Sequence, residues 1–388
     1  MENKIKIEAS IMLGSYLDTI GFKNGEFEFN NNLKANTPSQ ASLISYINTY
    51  HYFILGGANK MSLLNLRASD DTLLLLSTGY AVLDNGGEKN YINEYIKWYP
   101  KISEKNRAIG YQTKQSILLL EKLIKKKKET YIPDIPYSDE MGGNGASIRT
   151  SVIGLRWYNN INKIIEESIV SSRLTHNYTI GFLGGLITAL FTSFAFNNIK
   201  PWKWIDKLLE IYESKKITNY IHTTDLKDTI DEEIENFFYF WYKYKEDRLV
   251  NIMKFRRTKE FIDPLTHISI MLDYNPVLKK ANKKGELSLN NIGSSGLDSV
   301  IFAYDCLLLA IVPKPNYTID LDNIEYSWDS LVFFGCLHIG DTDSTGIILG
   351  SWFGALNGYG DFNTSKIKEL EFYKELKEVS DKLYKLIT

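Results

Sequence analysis

Cysteine is scarce in this chain of 388 residues: there are two, Cys306 and Cys336, both inside apolar runs (DCLLLAIV and FFGCLHIG). They could form one disulfide, but buried free thiols in a reducing cytosol are the expectation. Excess charge of one sign is also missing. A net charge of −2 provides no basic field to gather nucleic acid or an anionic membrane, so neither is expected as a partner. The opening MENKIKIEAS lacks an apolar signal core and a small-residue cleavage site, so a cytoplasmic location is expected rather than secretion. Internal repeats, long low-complexity tracts and obvious linkers are absent as well. Strand alternation with hairpin turns is almost absent, apart from TYIPDI at Thr130–Ile135, which reads as a short extended piece.

One long uncharged run does occur, IGFLGGLITALFTSFAF at Ile180–Phe196. It is slightly short for a membrane span and carries three glycines with scattered Ser and Thr, so a buried core helix is expected. Helical spacing dominates the rest. Apolar residues recur three and four apart over Ile5–Ile20, Thr72–Val82, Ser116–Ile124, Ile161–Val170, Gly181–Phe196, Trp202–Tyr212, Ile230–Tyr244, Ser299–Leu309 and Ile347–Leu356. Ser365–Leu386 reads as one amphipathic helix laced with charge pairs. The fold class is therefore all-α. The loop-like stretches are Phe29–Gln40, Pro133–Gly145, Val277–Gly296 and Lys314–Asn323. Lys125–Lys128 reads as a solvated helix end rather than a nucleic-acid patch. Gly346, Gly350, Gly354 and Gly358 recur every four residues, which predicts one helix face pressed against another backbone.

Two acidic clusters stand at helix starts: ASDDTLLLL, with Ser69, Asp70 and Asp71, and GDTDSTGIILG, with Asp341, Asp343 and Ser344. Either one alone is accounted for by capping, since Ser and Asp are favoured N-caps and acids suit the positive end of a helix. Together they ask for more. Each offers two carboxylates where a cap needs one acceptor, and both lead into helices apolar enough to be buried. A divalent cation resolves that conflict. Oxygen-only donors favour magnesium, manganese or calcium, and two neighbouring metals could share these acids.

The two clusters, in this order and so far apart, resemble the metal motifs of the ADP-ribosylglycohydrolase family. Four further segments agree: MLGSYLDTIGFKNGEFEF from Met12, MGGNGASIRTSVIGLRW from Met141, SSRLTHNYTIGFLGGLITALFTSFAFN from Ser171 and GSSGLDSVIFAYDCLLLA from Gly293. The resemblance runs over nearly the whole chain. It implies a single domain, 1–388, with a compact orthogonal multi-helix fold around a central dinuclear metal site. It implies two divalent cations, Mg2+ or Mn2+, held by Glu28, Ser69, Asp70, Asp71, Asp341, Asp343 and Ser344. Catalysis would fall to Asp70, Asp71 and Glu28, with either aspartate as the base that deprotonates a water. Gly143, Asn144, Gly145, Ala146 and Ser147 would cradle the pyrophosphate of ADP-ribose, aided by His176, Gly110, Ser294 and Gly296. Asp18 would organise the core beside the site.

The last of the four segments resembles the branch acting on ADP-ribosylarginine. The activity implied is metal-dependent cleavage of the N-glycosidic bond, with an ADP-ribosylated protein as substrate and ADP-ribose as product, by a monomer. Hydrolysis of an O-linked ADP-ribose (ADP-ribosylserine or O-acetyl-ADP-ribose) and catalytically silent ADP-ribose binding are the alternatives. The pattern departs from the family at Leu17, Ile339, Leu297 and Leu287–Gly293, the last lacking the aromatic residues expected beside adenosine.

Overall fold

In a computed structural model, residues 2–29, 33–105, 107–252, 267–268, 271–274, 289–312 and 325–388 are described. The first half forms α1 (Glu2–Phe22), α2 (Pro38–Ile54), α3 (Asp70–Leu83), α4 (Glu88–Ile102), α5 (Tyr111–Leu123), α6 (Ser151–Arg156), α7 (Ile161–Arg173) and α8 (Thr179–Phe196). Then follow α9 (Trp204–Glu213), α10 (Lys216–His222), α11 (Asp231–Lys243), α12 (Asp298–Leu309), α13 (Trp328–Cys336), α14 (Thr342–Asn357) and α15 (Tyr373–Ile387). Among the described residues the only β-structure is one isolated bridge and a ribbon of two residues a strand, Ile311–Val312 against Glu325–Tyr326. Buried apolar residues from Ile7 to Leu383 join in one core.

The glycine stripe sets the closest helix pair. A Cβ at Gly346, Gly350 or Gly354 of α14 would collide with the α1 backbone at Leu17, Leu13 and Ala9. Gly14 and Gly21 of α1 answer it, facing Ser351 and Thr342. Gly358 is different: it ends α14 at φ +63°, its N–H bonded to the Gly354 carbonyl at 2.9 Å. This approach carries the N-terminal end of α14, with Asp341 and Asp343, up to Asp18 on α1. Gly350→Ala should therefore destabilise the protein by about 1–3 kcal/mol despite the better helix propensity of alanine. Thermal or urea unfolding would read this, and a stabilised variant would contradict so close a packing.

The uncharged run forms α8, buried along its length at the centre, where it serves as the core helix its composition predicts. Its Phe191 ring lies 5.3 Å from each of Trp204, Trp241 and Trp352 and 5.4 Å from Tyr304. Both cysteines are free and buried. The lysine run follows α5 as an exposed helix end, with Lys128 paired to Asp134 at 2.6 Å.

Four expectations need correction. Thr130–Ile135 is not extended: it holds a short turn, Ile132–Asp134, because the Glu88 carboxylate gathers the N–H groups of Tyr131 and Ile132 and the Thr130 hydroxyl. The C-terminal helix starts only at Tyr373, after a separate turn at Thr364–Glu369. Pro38–Gln40 open α2, with Thr37 as N-cap and proline at the position where a missing N–H costs nothing. Pro133–Gly145 contains short helical turns, including Asp139–Met141. Of the other two loop-like stretches, 277–288 and 314–323 lie outside the described residues.

Candidate metal centre and ligand cleft

Both acidic clusters stand at helix starts, but only the first caps its helix through a side chain. Ser69 caps α3, its hydroxyl accepting the Asp71 N–H at 3.1 Å, while the Asp70 N–H donates to the Arg107 carbonyl at 3.2 Å. Asp341 stands just before α14, and its N–H donates to the Ile292 carbonyl at 2.8 Å. Both helix starts point into one cleft of about 200 Å³.

Carboxylates converge there from four places in the chain. Oxygens of Asp18, Asp71 and Asp343 lie within 4.8 Å of one another, as do oxygens of Glu28, Asp341 and Asp343. Asp343 therefore belongs to two adjoining acid groups. The Ser344 hydroxyl donates to Asp71 at 2.7 Å, and the Asn144 amide donates to Asp341 at 3.0 Å. Asp18 takes the Ser69 N–H and the hydroxyls of Ser69 and Thr72, which fastens α1 to the start of α3.

Electrostatics make the cluster costly on its own. Burial, then the charge of Asp343, pushes the Asp18 carboxyl up to about 7. Burial, then Asp343, Asp341 and Asp70, pushes Glu28 up to about 11. Burial raises Asp341 to about 6, against hydrogen bonds involving Asp343, Ser344 and Asn144. Asp70, Asp71 and Asp343 are raised well above the usual carboxylate range, by burial first and neighbouring acids second. None of the described residues lining the cleft is Lys or Arg. Closely spaced buried oxygen donors without a protein cation fit a hard divalent metal.

Of the residues singled out from sequence, Glu28, Asp70, Asp71, Gly110, Gly143, Asn144, Gly145, His176, Ser294, Asp341, Asp343 and Ser344 line the cleft. Ser69, Ala146, Ser147 and Gly296 lie behind it. Ser69 is fully buried and its hydroxyl is held by Asp18. Ala146 and Ser147 are fully buried against α8, and a Cβ on Gly296 would meet the α8 backbone at Ile180. Gly296 is thus a packing glycine. The helix after the glycine loop starts at Ser151, with hydrogen-bonded turns between.

Several residues went unnoticed in the sequence. Gln112 and Thr113, in the first turn of α5, and Phe29 line the cleft. Phe29 holds a left-handed backbone, φ +46°, that a bulky residue rarely adopts. Asn290 secures it, donating to the carbonyls of Phe29 (3.0 Å) and Leu33 (2.7 Å) and accepting the Ala35 N–H (3.1 Å). The segment whose aromatic residues were missed thus braces the Glu28 loop instead.

Arg149 is the other hidden organiser. Fully buried, it donates to the Gly145 carbonyl at 2.7 Å, the Ser171 carbonyl at 2.8 Å and the Thr175 hydroxyl at 2.7 Å. The Thr175 hydroxyl lies 2.8 Å from His176 Nδ1. A guanidinium can only donate, so the hydroxyl accepts from it and keeps its own proton available for Nδ1. With that proton given to Nδ1, the imidazole carries its own on Nε2, the nitrogen beside Gly143 and Gly145, where a Cβ would come within 3.4 and 2.9 Å of it. Burial, and secondarily Arg149, depresses the His176 pKa to about 3, so this donor is neutral.

Comparison with known proteins identifies the family. The ADP-ribosylglycohydrolase family pattern matches residues 12–388. ADP-ribosylhydrolase ARH1 of Dictyostelium discoideum is 31% identical, covering 95% of this chain and 91% of its own. ADP-ribosylhydrolase ARH3 of Xenopus tropicalis is 25% identical, covering 83% and 82%. A solved ADP-ribosylglycohydrolase-related protein complex shares the fold, with a TM-score of 0.54 at 14% identity over 100% of this chain and 99% of that one. The chain belongs to the ADP-ribosylglycohydrolase family.

Proposed function

We propose that this family member is an ADP-ribosylarginine hydrolase using two divalent cations, magnesium or manganese. The observation that carries the metal reading is the membership of Asp343 in two adjoining carboxylate groups, one with Asp18 and Asp71 and one with Glu28 and Asp341. Bound there, cations would supply Lewis acidity and an anchoring charge at the ribose distal to adenine.

The remaining chemistry belongs to side chains. Asp70 lines the cleft, stands in neither carboxylate group and receives the Gly110 N–H, which supports it as the base that takes a proton from water. The water oxygen bonds to the anomeric carbon as the bond to the arginine nitrogen breaks, and the departing guanidine gains a proton. The charge building on the ribose gives the transition state oxocarbenium character. Glu28, with Asp341, faces the same ribose. The Gly143–Gly145 loop and the His176 Nε2–H donor suit the diphosphate. A cleft of about 200 Å³ is smaller than the roughly 300–1,000 Å³ of sites that enclose a whole ligand, so the adenosine end lies over the rim.

Thr175→Val keeps the side-chain shape and removes the donor to Nδ1. We expect KM for an ADP-ribosylated substrate to rise about tenfold with a smaller change in kcat. The nitrogen-15 shifts of His176 should then lose their single-tautomer pattern. An unchanged NMR pattern would refute the relay.

The arginine linkage is supported by the Gly293–Ala310 segment, which resembles the arginine-specific branch. An O-linked substrate is the second reading, supported by Leu297 standing where the arginine-specific branch usually carries histidine. Peptides carrying arginine-linked or serine-linked ADP-ribose, compared at equal concentration, separate the two. Preference for arginine by at least about a hundredfold is expected, and the reverse preference would replace the first reading with the second.

A further inference from the structure

The helix α2 is built inside out. Its inward face is mostly small or polar, with Ala41, Ser42, Ser45 and Asn48 buried beside only two large apolar residues, Ile44 and Tyr52. Its outward face carries Leu43, Tyr46, Ile47, Tyr50, Phe53 and Ile54, each between 47 and 71% exposed. An ordinary surface helix shows the opposite arrangement. None of these six residues lines the metal cleft.

We infer that this face is the contact between two copies of the chain, paired α2 against α2 about a two-fold axis. Three observations select a second copy over other occupants. Leu43, Ile47, Tyr50 and Ile54 follow the alternating four- and three-residue spacing of a helix–helix seam. No Asp, Glu, Lys or Arg occurs between Lys34 and Lys60. An uncharged, aromatic-rich stripe can meet its own copy without like charges opposing each other, and it matches the composition of interface centres. A helix lying on a membrane would instead carry lysine or arginine along its polar face.

The area is also sufficient. Each of these side chains leaves on the order of 100 Å² uncovered. Six of them, with the adjoining helix surface, approach the roughly 800 Å² per partner of a standard interface. The dimer departs from the monomer expected from sequence.

Sedimentation velocity on the full chain at micromolar concentration tests this, with Ile47→Glu and Tyr50→Glu alongside. A species of twice the chain mass is expected for the wild type. Each variant should weaken self-association at least about 30-fold while unfolding at the wild-type temperature. Ile47, near the middle of α2, would face its own copy in an antiparallel pair. Ile47→Cys should then give a cross-linked dimer under a mild thiol oxidant, since Cys306 and Cys336 are buried. A wild-type monomer throughout the micromolar range overturns the proposal. So would a monomer in which Tyr50→Glu weakens only the use of ADP-ribosylated protein and not of small ADP-ribosylarginine, which would assign the face to the acceptor protein.

Discussion

Asp343→Asn is expected to abolish turnover while making the metal-free protein more stable. The side chain belongs to both carboxylate groups, so its loss weakens both sites at once. A fall in kcat/KM of roughly a thousandfold or more is expected, with a much weaker metal requirement for whatever activity remains. Stability should move the other way. The Asp343 carboxyl is raised well above its ordinary pKa, by burial and then by Asp341, so ionising it costs the folded state at neutral pH. Removing the charge relieves that cost, so the melting temperature without metal should rise. Activity assays and thermal melts in chelator read the two effects separately. An active variant, or one less stable than wild type without metal, would show that the acids do not form one mutually repelling site.

The second large effect is a pH-dependent stabilisation by metal. Asp18 and Asp341 are pushed up to about 7 and about 6, above the unfolded-state value of an aspartate near 3.9. Between the unfolded and folded values the native state holds protons that the unfolded chain has released. These groups therefore stabilise the fold at low pH and lose that contribution as pH rises through their folded values. His176 and His338 act oppositely: burial depresses both to about 3, so their contribution grows with pH up to the ordinary histidine range. The measurement that isolates the acids is the difference in stability with and without metal. At pH 5 cations must displace protons from Asp18 and Asp341, whereas at pH 8 they meet both of these carboxylates ionised. The increment should be small at pH 5 and reach about 4 kcal/mol at pH 8 with metal at a thousand times its Kd. An increment independent of pH would contradict the assigned ligands.

Much of this was legible because the signals were local. Capping residues and acids stand next to each other at Ser69–Asp71 and Asp341–Ser344, and four-residue glycine spacing marks α14 without reference to a partner. Other features are defined only by contact across the chain. Asn290 matters because it meets Phe29, Leu33 and Ala35, and Arg149 because it meets Gly145 and Thr175. Neither residue carries a pattern in its own neighbourhood. Glycine signals close approach without naming what approaches, so Gly296, which packs on α8, was grouped with loop glycines that line the cleft. Helices α2, α4, α10 and α13 carry no helical signal that the sequence reading picked up. In α2 the large apolar face points outward, and α4 carries Pro100 inside it, which reads as a breaker although it falls near the end of the helix.

The most direct measurement is release of free ADP-ribose from an arginine-ADP-ribosylated protein, in magnesium or manganese and in chelator, for the wild type and for Asp70→Ala/Asp71→Ala. Metal-dependent release by the wild type that disappears in chelator and in the folded double variant is the predicted result. Release that persists in chelator, or in the double variant, would contradict a reaction run by the carboxylates of this cleft.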